Sequence, residues 1–176
     1  LVNGVGTGTR LFINDGKGLF SERIQSGLTH KGGAMSMAMA DADQDGDLDL
    51  YVAYYRENTW KDLPLGVNPR VIQKGNRPHA LPEDRFVAIY TGPGIKPGIT
   101  EVGEPDQFYL NNGDGTFVHQ PWLGGRFRDE DGQVLESIPR HWGLSVLFRD
   151  LNGDLLPDLL VCNDFAYGED QIWMNQ

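Results

Sequence analysis

The sequence predicts an all-β chain, and three observations carry that prediction. Apolar residues on either side of two acidic loops alternate with period 2 rather than 3.6. Asn-Gly and Asp-Gly turns separate short runs rich in aromatic and aliphatic residues. Both features recur in a fixed order along 176 residues, a length that suits one ordinary domain.

The first predicted element is a hairpin. Leu11-Phe12-Ile13 enters the turn Asn14-Asp15-Gly16-Lys17-Gly18, and a second strand opens on Leu19-Phe20. A strand at Ala34–Ala40 follows, with Met35, Met37 and Met39 on one face and Ala34, Ser36, Ala38 and Ala40 on the other. Three methionines raise a soft-metal site, but methionine commonly fills core gaps, and core is the reading adopted. The acidic loop Asp41–Asp49 leads into the strand Leu50–Tyr54. Phe108-Tyr109-Leu110-Asn111-Asn112-Gly113-Asp114-Gly115-Thr116-Phe117 repeats the first hairpin. A strand at Gly143–Phe148, a second acidic loop at Asp150–Asp158 and a strand at Leu159–Cys162 repeat the acidic unit. Gln171–Gln176 matches the first strand of a third plain hairpin, and the chain stops where its turn is expected.

A plain hairpin added to an acidic one makes a four-stranded antiparallel unit, and repetition of such units predicts β-propeller blades. Residues 1–32 supply outer strands of one blade, 33–119 a second blade and 142–176 an incomplete third. Small residues in Ala34–Ala40 suit an inner strand near a crowded axis. Asn111 and Asn175 are 64 residues apart, whereas Asn14 and Asn111 are 97 apart. The excess is an insertion at 56–105 between the second and third strands of one blade. It holds Pro64, Pro69, Pro78, Pro82, Pro93, Pro97 and Pro105, a short strand candidate at Arg85–Tyr90, and the basic residues Lys61, Arg70, Lys74, Arg77, Arg85 and Lys96. Long insertions on rigid scaffolds carry function or strap an edge, and both readings stand. Two blades cannot close a ring, so the chain is expected to be a segment of a larger propeller or to pair with other chains.

The acidic loops predict a cation. Both place oxygen side chains at positions 1, 3, 5 and 9: Asp41, Asp43, Asp45 and Asp49, then Asp150, Asn152, Asp154 and Asp158. A solvated acidic turn accounts for one such loop, but two with matching flanks argue for a metal among repelling carboxylates. Hard oxygen donors on a flexible loop favour Ca²⁺ over Mg²⁺. Position 12 is Val52 in one loop and Val161 in the other, so neither is a helical EF-hand.

Net charge is −10, which disfavours nucleic acid and anionic membrane as partners. No apolar run approaches the ~20 residues of a membrane span. A single cysteine, Cys162, excludes an internal disulfide and is expected to be a buried, inert thiol. Modest-affinity calcium loops suit a secreted, periplasmic or cell-surface protein. His30, His79, His119 and His141 fall in no metal-ligand spacing, and no nucleophile elbow or phosphate loop is present.

The phrases around Asp41–Leu50, Phe108–Phe117 and Trp142–Phe165 resemble FG-GAP/VCBS repeats. The last is most similar to proteins of the cartilage acidic protein type. The resemblance covers everything outside the insertion. It implies a seven- or eight-bladed propeller like the integrin α-subunit head, with Ca²⁺ in loops between strands. Carried over by position, one site uses the Asp41, Asp43, Asp45 and Asp49 side chains with the Asp47 carbonyl. The other uses Asp150, Asn152, Asp154 and Asp158 with the Leu156 carbonyl. Position 6 is Gly46 in the first loop but Leu155 in the second. A left-handed leucine there costs ~1–2 kcal/mol, so the second site is expected to bind more weakly.

Three functions follow from this reading. The first is a non-catalytic calcium-binding segment that mediates protein or glycan binding or adhesion. The second is the propeller portion of a carbohydrate-active enzyme, of lyase or hydrolase type, with Arg70, Lys74, Arg77 and His79 facing an acidic sugar. The third is a structural subunit of a larger assembly.

Overall fold

The computed structural model describes residues 1–62, 68–89, 92, 94–164 and 169–176. Pro64, Tyr90, Pro93 and Phe165 lie outside the described residues. Strands β1 (Val2–Gly4), β2 (Gly8–Arg10), β3 (Phe12–Asn14), β4 (Phe20–Glu22), β5 (Ala34–Ala40) and β6 (Asp49–Tyr54) come first. Next are β7 (Arg70–Lys74), β8 (Arg77–Leu81), β9 (Phe86–Ile89) and β10 (Gly98–Glu101). Last come β11 (Gln107–Asn111), β12 (Phe117–Gln120), β13 (Trp142–Arg149), β14 (Asp158–Asp164) and β15 (Gln171–Trp173). All their pairings are antiparallel. No described helix is long and apolar enough to cross a membrane.

The chain divides into two compact units, Leu1–Glu57 with Glu104–Gln176, and Asn58–Gly103. In the first unit β12, β11, β6 and β5 form a four-stranded sheet in that order, and β13, β14 and β15 a three-stranded one. The chain leaves β6 at Tyr54 and returns at Gln107 in the neighbouring strand β11.

β6 shows why this sheet is held on both faces. Its residues alternate between two apolar clusters and are all buried. Tyr51 and Ala53 join Phe108, Trp122, Phe127, Val146, Leu159 and Val161. Leu50, Val52 and Tyr54 join Leu28, Tyr109 and Phe117. Burying a large apolar side chain stabilises by about 1.5–3 kcal/mol, so β6 is the most heavily invested strand. Trp122 anchors the first cluster. Its ring lies 4.2 Å from Phe127 and 5.3 Å from Trp173, and its indole N–H donates to the Asp106 carbonyl at 2.8 Å.

The strict alternation expected for Ala34–Ala40 does not hold. The pairing of β5 with β6 shifts between Ala34 and Ser36, a bulge that leaves Met35 unpaired. Ala34 therefore packs with Met37 on the Tyr54 side, while Ala38 packs against the Tyr51 cluster. The same shift occurs in β13 between Gly143 and Ser145. Met35 and Leu144, the two bulged residues, are both exposed. Cys162 is half-buried rather than buried. The pairing of β14 with β15 ends at Val161, so the strand has lost that neighbour by position 162.

The second unit is two hairpins, β7–β8 and β9–β10. Ala80 and Phe86 are buried. Arg85 donates to Glu101 at 2.6 Å and to the Asn58 carbonyl at 2.7 Å, with its side chain 12% exposed. This guanidinium pins the ends of the unit and is committed to the fold.

Candidate metal centre

Both acidic loops close β-hairpins. The β5–β6 register ends at Ala40 opposite Asp49, and the β13–β14 register at Arg149 opposite Asp158. The position-9 aspartate therefore opens the outgoing strand. Asp49 and Asp158 are fully buried. Each carboxylate accepts two backbone N–H groups, one from its own loop and one from a neighbouring segment. Asp49 accepts from Ala42 at 2.9 Å and from Asn111 at 2.9 Å. Asp158 accepts from Leu151 at 2.8 Å and from Asn175 at 2.8 Å. The asparagines answer with their side chains. Asn111 donates to the Leu48 carbonyl at 3.1 Å, and Asn175 to the Ala42 carbonyl at 2.7 Å.

The repeated asparagine thus ties the loop to the next hairpin, a structural role that its place in the predicted hairpins did not show. Its signal was present, since Asn111 and Asn175 sit at one position of the repeat. The turn role is real as well: the Asn111 and Asn14 side chains accept from Gly113 and Gly16.

In the first loop, one carboxylate oxygen from each of Asp41, Asp43 and Asp49 lies within 4.8 Å of the others. Asp41 Oδ2 accepts from Gly46 at 3.1 Å, while its Oδ1 is buried with no hydrogen-bond partner. Asp45 turns to the Asp47 N–H at 2.9 Å. Burial holds the Asp49 carboxyl above its usual range. The N–H groups of Asn111 and Ala42 oppose the shift, and the charges of Asp43 and Asp45 add to it. The Asp47 carboxylate lies against the next hairpin turn. A Cβ at Gly113, where φ is +75°, would sit 2.4 Å from its Oδ2. Three carboxylates gathered this closely, one of them carrying a buried, unpaired oxygen, fit a hard cation.

The second loop spends its carboxylates differently. Asp150 accepts from Gly153 at 2.6 Å and Leu155 at 3.0 Å. Asp154 accepts from Leu156 at 2.8 Å and from the Asn152 amide at 2.8 Å. Asn152 accepts from Asp154 at 2.9 Å. Among the described residues, no carboxylate trio as tight as the first forms here. Val52 and Val161, at position 12, are fully buried and offer no side-chain ligand.

Backbone strain does not rank the loops as position 6 alone suggests. Leu155 has φ +72° and Gly46 φ +96°, but position 4 is left-handed too, with Gln44 at φ +61° and Gly153 at φ +84°. Each loop carries one glycine and one strained residue, in swapped places. Gln44→Gly and Leu155→Gly should each raise stability by about 0.5–1 kcal/mol in thermal unfolding, the relief of left-handed strain less the entropy of a freer unfolded chain. A fall in stability for either would contradict the strain.

Of the histidines in the first unit, burial lowers His30, His119 and His141, which leaves them mostly neutral at pH 7. Asp164 accepts from the Tyr55 hydroxyl at 3.2 Å.

An FG-GAP-like repeat is found at residues 1–52, which takes in β1 to β5, the first acidic loop and the start of β6. No curated protein and no solved structure matches the chain significantly.

Proposed function

We propose that this chain is a calcium-stabilised FG-GAP repeat segment of a β-propeller whose role is binding to protein or glycan rather than catalysis. The observation that carries the calcium reading is the Asp41, Asp43 and Asp49 cluster, with its buried, unpartnered Asp41 oxygen. Asp45 and the Asp47 carbonyl complete the first site. Asp150, Asn152, Asp154, Asp158 and the Leu156 carbonyl make the second. The bound cation would neutralise the loop and hold adjacent strands together. The sheet β12-β11-β6-β5 serves as one blade and β13-β14-β15 as three strands of the next. Other blades come from the same or another chain, to the seven or eight the resemblance implies. The finer likeness to the cartilage acidic protein type, and a secreted, periplasmic or surface location, belong to this same reading.

Calorimetric titration with Ca²⁺ tests it. The first site should bind more tightly, because it gathers three carboxylates where the second has Asn152 and internally bonded aspartates. Asp41→Ala should abolish the tighter event and Asp150→Ala the weaker. Equal or reversed affinities would sink the ranking, and no heat with no chelator-induced loss of melting temperature would sink the calcium reading.

A further inference from the structure

The β7–β8 hairpin brings together residues that the sequence only lists. Its register pairs Arg70 with Leu81, Ile72 with His79 and Lys74 with Arg77. Cross-strand partners share a face, and so do residues two apart. Arg70, Ile72, Lys74, Arg77 and His79 therefore stand on one face, with Val71, Gln73, Pro78 and Ala80 on the other. Lys74 and His79 both reach Glu83, at 3.6 and 3.8 Å. Arg70 and Arg77 are exposed, with no ion pair among the described residues.

This arrangement works against the hairpin. Lys74 and Arg77 are like charges directly opposite each other beside the turn, a pairing that destabilises a two-stranded sheet. One carboxylate, Glu83, offsets part of it. Arg85 shows the contrast: a nearby cation that serves the fold is largely enclosed and bonded to Glu101 and Asn58. Cations that the fold does not use, held together at a cost to it, suit an external anion.

We propose that the Arg70–Lys74–Arg77–His79 face binds an acidic polysaccharide, a chain of uronate or sulfated sugars. Arg70 and Lys74 are four residues apart on one strand, so their stems are spaced by about 13 Å. Arg77 stands directly opposite Lys74, so the cations extend along the hairpin and suit successive charges of a polymer rather than one small anion. The net charge of −10 opposes every polyanion at long range, and most strongly the densest: duplex DNA carries one charge per roughly 1.7 Å, whereas a uronate chain carries one per sugar. Among the described residues, no Phe, Tyr or Trp stands on this face to stack a base, and His79 is held towards Glu83. Ile72, 36% exposed between the cations, offers an apolar floor for a sugar ring. The proposal rests on the binding-module reading only in treating the glycan as a ligand, and it does not depend on calcium.

The test is affinity electrophoresis of the intact chain through gels holding polygalacturonate, a sulfated dextran, neutral dextran or single-stranded DNA. Wild type should be retarded by an acidic glycan and not by neutral dextran. The polygalacturonate and sulfated lanes separate carboxylate from sulfate as the anion. Arg70→Glu/Arg77→Glu should weaken retention at least about tenfold, with reduced salt dependence. Arg70→Lys/Arg77→Lys should keep most of it and shows that the position tolerates change. Retention unchanged in the Glu variant, absent in wild type, or equally strong on DNA would overturn the proposal. Melting with and without chelator, run on the same samples, reports the calcium reading separately, so either idea can fail alone.

Discussion

Asp49→Ala and Asp158→Ala should each destabilise the chain by roughly 3–5 kcal/mol in urea unfolding, even with all calcium chelated. Each buried carboxylate bonds two backbone N–H groups, and hydrogen bonds to a charged group are worth about 1.5–3 kcal/mol. Removing Asp49 strands the N–H groups of Ala42 and Asn111, and removing Asp158 those of Leu151 and Asn175. The loss falls where the loop, the outgoing strand and the adjacent hairpin meet, so the sheet loses a clamp independently of the calcium proposed above. Asp45→Ala is the control. Asp45 is exposed and bonds only within its loop, so in chelator its loss should stay within about 0.5 kcal/mol of wild type. With calcium restored, Asp45→Ala should fall further behind if Asp45 is the ligand proposed above. If Asp49→Ala costs no more than Asp45→Ala in chelator, the clamp does not exist.

That contrast shows what the sequence could reveal and where it stopped. Period-2 alternation placed β5, β6, β13 and β14 as strands, but it did not show their unequal burial: β6 is buried along its whole length, β13 buries only Gly143 and Val146, and no residue of β5 is fully buried. The acidic loops were legible because nine residues contain all their side chains. The clamp was not, since it joins Asp49 to Asn111 across the long insertion, and nothing local in either segment reports the partner. The bulges at Met35 and Leu144 escaped for a related reason: a strand's own alternation does not show where its neighbour slips by one. Strain at Gln44 was hidden because glutamine carries no turn signal, whereas its counterpart Gly153 does. In the insertion, composition showed the cations but not their fates. Only the three-dimensional contacts separate Arg85, bonded to Glu101 and Asn58, from the Arg70 and Arg77 face.

The second large effect concerns pH. Stability should fall as pH rises from about 4 to about 7, by roughly 4 kcal/mol if Asp106 acts alone. Asp106 is buried, with one carboxyl oxygen accepting from the Tyr51 hydroxyl at 2.9 Å and the other from the Tyr54 N–H at 2.7 Å. Burial pushes its carboxyl up to about 7, against the pull of those two bonds. β13 crowds the same oxygen, since a Cβ at Gly143 would sit 3.2 Å from Asp106 Oδ1. In the unfolded chain this aspartate ionises near its usual value of about 4. Between the two values the folded state holds the proton and the unfolded state does not, so each step up in pH favours unfolding; above about 7 both are ionised and the loss is complete. Asp106→Asn isolates the group. An amide keeps an acceptor for the Tyr54 N–H, and its NH₂ can donate to the Tyr51 oxygen, so the fold survives without a titrating proton. His30, His119 and His141, lowered by burial, slope the other way and are common to both proteins, so they cancel in the difference. The variant should gain on wild type steadily from pH 4 to 7 in parallel urea melts. A constant difference across that range would mean that Asp106 ionises in the folded state as it does in water.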